Sequence, residues 1–478
     1  MNIISTVRPV SNSHYNQSSS PSLETELVST DGYKIISSLT LYVPERIDID
    51  RILAGQPPDF SYHRDYFLYI LHLITSIPSR KRDLIEKNDG FTPINRKFLQ
   101  KRLHGYRRYI EYLKEVGLVQ ERSYYKPSET SRGLKFTPRY NSVVKPVTIT
   151  KWTLIKSIIY LHKTYNTEIT EELSYLRNYF NDDIEVDYEN GVAYLNQLYA
   201  EEVTNSEVTN ELLRYNSRLL PLTRLKDKNY SFHADNKGYR LHTNITQMMS
   251  GLRRFITYQG KKLCAIDIKN SQLYLAITLL DDELFTSNNI SSKLINPILL
   301  TNPLFPNMVV DFIRNIKTEP DVLLFKEWVS SGFFYERFGE KLFERGILEN
   351  LPEQESREAA KKITFSSIYS PNNLLSNNEA MQLFKVIFPN VFEVFKLIKR
   401  GHKNHPTLSV CLQRLEAELV LHKACKTIFE ERPDVFMVTL HDSIITTEDN
   451  VEYVQSVLYN ILRTNIGVPP NLKIERWE

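Results

Sequence analysis

Apolar and polar positions divide this chain into stretches of unlike period. Residues up to about Thr30, rich in Ser, Asn and Pro, show no apolar period and read as a mobile tail. The apolar run from Tyr66 to Ile77 predicts a helix; His72 interrupts it, and it is too short to span a bilayer. Thr92-Pro93 reads as another helix start, followed by a basic helical stretch. Leu118 to Tyr125 and Gly133 to Thr137 then read as strands flanking a turn over Lys126 to Arg132. From Val147 to about Leu225 apolar residues recur at three- and four-residue spacing, as in LIKSIIYLHKTYN and ELSYLRNYF, which predicts helices. Farther on, KKLCAIDIKNSQLYLAITLL starts with β character and turns helical, placing Asp267 at a strand end. PDVFMVTLHDSIITTEDN reads as strand, turn and strand, with Asp442 at the hairpin tip. VEYVQSVLYNILRTNIG predicts a helix and NLKIERWE a closing strand.

At 478 residues the chain is too long for one ordinary core, and 41% hydrophobic composition suits a globular protein of several domains. The formal charge of +3 does not announce a polyanion partner, yet Lys and Arg outnumber Asp and Glu between Arg80 and Arg139. Cys264, Cys411 and Cys425 are too few and too scattered for a disulfide framework, and none forms the CxxC spacing that zinc favours. The opening MNIISTVRPVSNSHYNQSSS lacks the basic-then-apolar order of a signal peptide. These features lead to the expectation of a monomeric cytoplasmic protein, or one of a host cell's interior, with no membrane partner.

Two strand-end carboxylates can share metal ions. Phosphoryl transfer uses that arrangement: one Mg²⁺ activates a 3′-hydroxyl and another stabilises the triphosphate and the departing pyrophosphate. Asp267 and Asp442 are candidates; alone, such an Asp is more often a helix cap or loop residue. Between them, in SREAAKKITFSSIYSPNN, Arg357, Lys361, Phe365 and Tyr369 recur every four residues and share one helix face. Cations followed by aromatics could hold a triphosphate at one end and a base or sugar at the other, with Lys361 placed to protonate pyrophosphate. An amphipathic helix with a basic end accounts for the same spacing.

Upstream, INRKFLQKRLHGYRRYIEYLKEVGLV followed by the basic hairpin resembles a winged helix-turn-helix domain. That resemblance implies a nucleic-acid face carrying Arg96, Lys97, Lys101, Arg102, Arg107 and Arg108, where phosphate contacts confer affinity and salt dependence. A solvated basic helix face is the alternative.

From about Tyr239 to Thr447 the order of motifs resembles family A DNA polymerases and the related single-subunit, phage-type RNA polymerases. Asp267 looks like their motif A aspartate, Arg357, Lys361, Phe365 and Tyr369 reproduce the motif B pattern R-x3-K-x3-F-x3-Y, and His441-Asp442 looks like motif C. GYRLHTNITQMMSGLRRFITYQGKKLCAIDI is similar to the family's approach to motif A, and CLQRLEAELVLHKA to its Gln-containing helix before motif C. The resemblance implies two Mg²⁺ ions, with Mn²⁺ as an alternative, on Asp267, Asp442 and the backbone of Ile268. It implies Arg357, Lys361, Phe365, Tyr369 and Gln272 around the incoming nucleoside triphosphate, and Arg240, Arg254, Gln413 and His441 near primer and template.

The expected fold is α+β, a right-hand polymerase of palm, fingers and thumb with a winged-helix-like domain in front. The expected segments are a tail over 1–30, the winged-helix-like domain over 31–145, a helical thumb over 146–230, palm over 231–285, fingers over 286–400 and palm again over 401–478. The sequence departs from the family in places. Where family A enzymes read D-x-S-Q-x-E, with a Glu that blocks the 2′-hydroxyl, this chain reads D-I-K-N-S-Q. Ser443 follows Asp442, and Ser370 follows Tyr369 where glycine is usual. DNA synthesis for a mobile element, plasmid or phage is the leading expectation. The alternatives are an RNA polymerase or primase-like enzyme, favoured by the missing Glu, and a non-catalytic DNA-binding replication initiator.

Overall fold

The computed structural model describes residues 26–28, 34–122, 132–160, 165–286, 307–349, 351–400 and 406–478. It is an α+β protein of helices and antiparallel strand pairs. The chain forms two compact units, each assembled from separate stretches. One comprises Met1–Thr164, Glu185–Ser231 and Thr243–Ile256; the other comprises Tyr165–Ile184, Phe232–His242 and Thr257–Glu478. The stretch 146–230 therefore contributes to both.

In the first unit, strand β1 (Leu39–Pro44) pairs along its whole length with β5 (Val144–Ile149). Helix α1 (Arg64–Arg80) is apolar on most sides, as a helix enclosed by its neighbours must be, and Phe67 to Ile74 are all buried. His72 fits there because its Nδ1 lies 3.0 Å from the Tyr42 amide nitrogen, and burial pushes its imidazole down to about 3, leaving it neutral. Buried Asp65 accepts from the amides of Thr150 and Lys151, each at 2.7 Å, so the helix start is tied to the end of β5.

A subdomain follows on the same core: β2 (Thr92–Pro93), α2 (Arg96–Arg102), α3 (Tyr106–Glu115), β3 (Val119–Glu121) and β4 (Gly133–Phe136), with sheet order β2-β4-β3. The predicted hairpin is present in register Val119↔Phe136, although 126–131 of its expected turn lie outside the described residues. Thr92-Pro93 is a strand edge and not a helix start. The helix begins after Asn95, whose side chain accepts from the Phe98 amide at 3.1 Å. Leu99, Leu103, Leu113, Leu118 and Leu134 join α1 in one core. Helices α4 (Tyr188–Thr204) and α5 (Glu211–Lys226) pack on each other, and α5 packs on α1.

Three further expectations need correction. Arg102 is not on a nucleic-acid face: it is buried, its guanidinium 4.0 Å from the Phe98 ring centroid and hydrogen-bonded to the Tyr69 hydroxyl. The long apolar stem and flat cation fit between aromatics. The tail is not patternless throughout, since Glu26–Val28 pairs with Lys34–Ile36, while 1–25, 29 and 30 lie outside the described residues. In ELSYLRNYF, Ser174–Tyr179 forms a short 3₁₀ turn and not an α-helix.

In the second unit, β6 (Lys261–Ile268) is central. It pairs with β8 (Ser443–Thr447) on one edge and β9 (Leu472–Arg476) on the other, placing Asp267 between Ser443 and Lys473. Strand β7 (Val438–Leu440) forms a hairpin with β8. Helix α12 (Val451–Ile466) lies on β6 and β8 and stops at Gly467, whose φ of 81° only glycine adopts freely. The closing helix and strand thus occur as the sequence predicts. Helices α6 (Ser271–Ala276), α7 (Pro320–Ser330), α8 (Phe334–Glu344), α9 (Glu353–Tyr369), α10 (Pro389–Ile398) and α11 (Thr407–Glu416) complete the frame, and α11 continues in π-helical turns through Cys425. Phe325, Phe334, Phe338, Phe384, Phe388 and Phe395 form an aromatic core among them, with ring centroids such as those of Phe384 and Phe388 5.2 Å apart.

Candidate active site

A cleft of about 550 Å³ in the second unit gathers residues from six places in the chain. Asp267 and Ile268 come from the end of β6, and His441 and Asp442 form the whole β7–β8 turn. Tight two-residue turns favour positive φ, and His441 takes φ 56° to present Asp442 at the tip. Helix α9 supplies Arg357, Lys361 and Phe365, spaced on one face as the sequence predicts, while Arg240, Gln272 and Lys473 complete the polar wall.

The electrostatics of the cleft centre on Asp267. Burial, then the negative charges of Asp442 and Glu475, push its carboxyl up to about 7; Lys361 and Lys473 pull the other way. A half-buried carboxyl whose charge is made costlier by a neighbouring carboxylate suits a hard divalent ion. Among the described residues, no group of three or more His, Cys, Asp or Glu side chains is arranged to hold a metal. An ion here would take Asp267, Asp442 and main-chain oxygen, with water or phosphate oxygens completing its shell, which suits Mg²⁺. The Ile268 side chain, a buried hydrocarbon, has no donor atom, so Ile268 could contribute only its main-chain carbonyl.

Behind the cleft runs a network that the motifs do not announce. Glu416, at the end of α11, accepts from Arg240 Nε and Nη2 at 2.8 and 2.7 Å and from Gln272 Nε2 at 2.8 Å. Tyr369 donates its hydroxyl to Gln272 Oε1 at 3.3 Å. Burial pushes Glu416 up to about 7 in spite of Arg240. Arg357 is likewise engaged, 2.6 Å from Glu336 and with its guanidinium 5.5 Å from the Tyr335 ring centroid.

The remaining expected residues are distributed unevenly. Gln413 does not line the cleft; its side chain packs on Gly238, where an added Cβ would meet Oε1 at 2.5 Å. Arg254 belongs to the first unit, its guanidinium 4.8 Å from the Tyr194 ring centroid. In the N-terminal subdomain, Lys97, Lys101, Arg107 and Arg108 are exposed, whereas Arg96 is 2.8 Å from Glu121.

Sequence reasoning missed Glu416, Tyr335, Glu336, Lys269, Asn270 and Lys473. A charged residue inside the apolar helix LQRLEAELVL was a usable sign for Glu416. Lys473 is opposite Asp267 only through strand register, which no local signal specifies.

No protein-family model matches this chain, and no curated protein matches it in sequence. Among solved structures it is similar to the POL domain of Pol1 from M. smegmatis, in complex with DNA primer-template and dNTP. The TM-score is 0.37 and the identity 12%, over 67% of this chain and 71% of that one.

Proposed function

We propose that this protein is a template-directed nucleotidyltransferase that synthesises DNA by a two-metal mechanism, in the replication of a mobile element, plasmid or phage. One observation carries the reading: Asp267 near the end of β6 and Asp442 in the turn before the adjoining antiparallel β8 come together, the Asp442 charge helping to raise the Asp267 carboxyl, beside the cations of α9. Bound divalent ions would supply charge neutralisation for the attacking 3′-oxygen and the pyrophosphate. The chain's own groups account for the rest. The primer 3′-hydroxyl gives its proton to solvent water and attacks the α-phosphorus, and the bond from the α-phosphorus to pyrophosphate breaks. Arg357 and Lys361 hold the triphosphate, Lys361 returns a proton to pyrophosphate, Phe365 and Tyr369 flank the nucleotide, and His441 approaches the primer end.

On this reading β6 to β9 form a palm, α7 to α10 fingers, and helices within 146–230 a thumb. The order long helix, one-turn helix (Asp83–Lys87), strand, two helices and hairpin, with sheet order β2-β4-β3, supports a winged-helix reading of the N-terminal subdomain. Lys97, Lys101, Arg107 and Arg108 are its phosphate contacts. Arg96 contributes from its pair with Glu121.

A second reading, RNA synthesis, has a specific observation in its favour. Gln272, where family A enzymes place Glu, is neutral and bonded to both Glu416 and Tyr369. Extension of one primer-template with deoxyribonucleotides or with ribonucleotides separates the two, and preferential deoxyribonucleotide incorporation is the expected result.

A further inference from the structure

A buried ammonium group without a carboxylate is unfavourable unless its protons are well used. Lys399, immediately after α10, is 3% exposed, and its Nζ donates to the carbonyls of Ile368 at 2.6 Å and Ser370 at 2.9 Å. Burial pulls its pKa down to about 8, so it still carries charge near neutral pH. The two carbonyls bracket Tyr369, the last residue of α9.

The last carbonyls of a helix lack intrahelical partners and carry the negative end of its dipole. A left-handed glycine commonly completes such an end. Helix α9 instead leaves through Ser370 at φ −61°, ψ 149° and Pro371 at φ −55°, ordinary extended angles that need no glycine. Lys399 supplies the missing donors and the positive charge. Asn372 Nδ2 adds a second tie, donating to the Lys396 carbonyl at 2.9 Å. Tyr369 is thus flanked by two carbonyls that Lys399 holds, those of Ile368 and Ser370, and its hydroxyl is held by Gln272.

We propose that Lys399 is a positioning residue for nucleotide binding: by capping α9 it sets the placement of Tyr369 and of the face that carries Arg357, Lys361 and Phe365. The inference rests on the nucleotidyl-transfer reading. It assigns a role to a residue outside every motif, and it explains how this chain dispenses with glycine after Tyr369.

The test compares the full-length protein with Lys399→Met, which keeps the stem without the donors, and Lys399→Arg, which keeps donors in another geometry. Three quantities are read: nucleotide KM and kcat in primer extension, affinity for a fluorescent methylanthraniloyl-dATP, and melting temperature. Lys399→Met is expected to weaken KM and probe affinity about tenfold while kcat stays within about threefold, with Lys399→Arg between it and the wild type. Wild-type nucleotide affinity in folded Lys399→Met, or a loss confined to melting temperature, overturns the proposal. If Lys399→Met does not fold, Lys399→Arg decides: weakened probe affinity at wild-type melting temperature supports the role, and wild-type affinity removes it. A wild-type protein that neither extends a primer nor binds the probe defeats the nucleotidyl-transfer reading and this inference with it. Extension with unaltered variant affinities defeats the inference alone.

Discussion

Arg240 donates through both Nε and Nη2 to the buried carboxylate of Glu416, so the arginine that borders the cleft has its charge matched from behind. Glu416→Ala leaves that guanidinium and Gln272 without their acceptor. The expected result is a stability loss of about 2–4 kcal/mol in urea unfolding, with a smaller loss for Glu416→Gln, which keeps an acceptor. Wild-type stability in Glu416→Ala would show that the carboxylate does not anchor this wall.

The raised carboxyl of Asp267 sets a pH dependence whose sign is determinate. An unfolded carboxylate releases its proton near pH 4 and the folded one near 7, so the folded state binds more protons in between. Without divalent metal, stability should therefore fall as pH rises from about 4 to 7, Glu416 contributing in the same direction. Asp267→Asn should gain on the order of 1–2 kcal/mol at pH 8 without metal, allowing for partial solvent exposure. Mg²⁺ should stabilise the wild type more than this variant. Melting curves at pH 5 and pH 8, with and without Mg²⁺, measure all three effects.

The basic residues of the N-terminal subdomain should separate by exposure. Replacing Arg107 and Arg108 with Ala is expected to weaken duplex DNA binding and lower its salt slope by about one per lost phosphate contact, with stability nearly unchanged. Arg102→Ala should do the reverse. It removes the cation packed between Phe98 and Tyr69, and about 1–3 kcal/mol of stability, while exposed contacts stay in place. Anisotropy titrations at several salt concentrations and urea unfolding distinguish the two classes.

Legibility followed the range of the interaction. Asp267 at a strand end, Asp442 at a hairpin tip and the four-residue repeat of α9 were readable because period and turn chemistry are local. The closing helix and strand were readable for the same reason. Arg102 was misread because neighbouring basic residues say nothing of which helix side meets a core, and that depended on Tyr69 far upstream. Thr92-Pro93 looked like a helix start, but Thr92 donates its hydroxyl to the Ile74 carbonyl at 2.7 Å and pairs with Leu134. Glu416, Lys473 and Lys399 acquire meaning only from residues more than twenty-five positions away. The discontinuous composition of the two compact units is equally a long-range property.

Primer extension on a DNA template with Mg²⁺ and deoxyribonucleotides, by the wild type, Asp267→Asn and Asp442→Asn, tests the central claim most directly. The account predicts extension by the wild type and a loss of at least about a thousandfold in each variant, with primer-template binding retained. Undiminished extension by either variant would contradict it. So would a wild-type protein that binds DNA yet extends no primer with any template or nucleotide, the behaviour of a non-catalytic initiator.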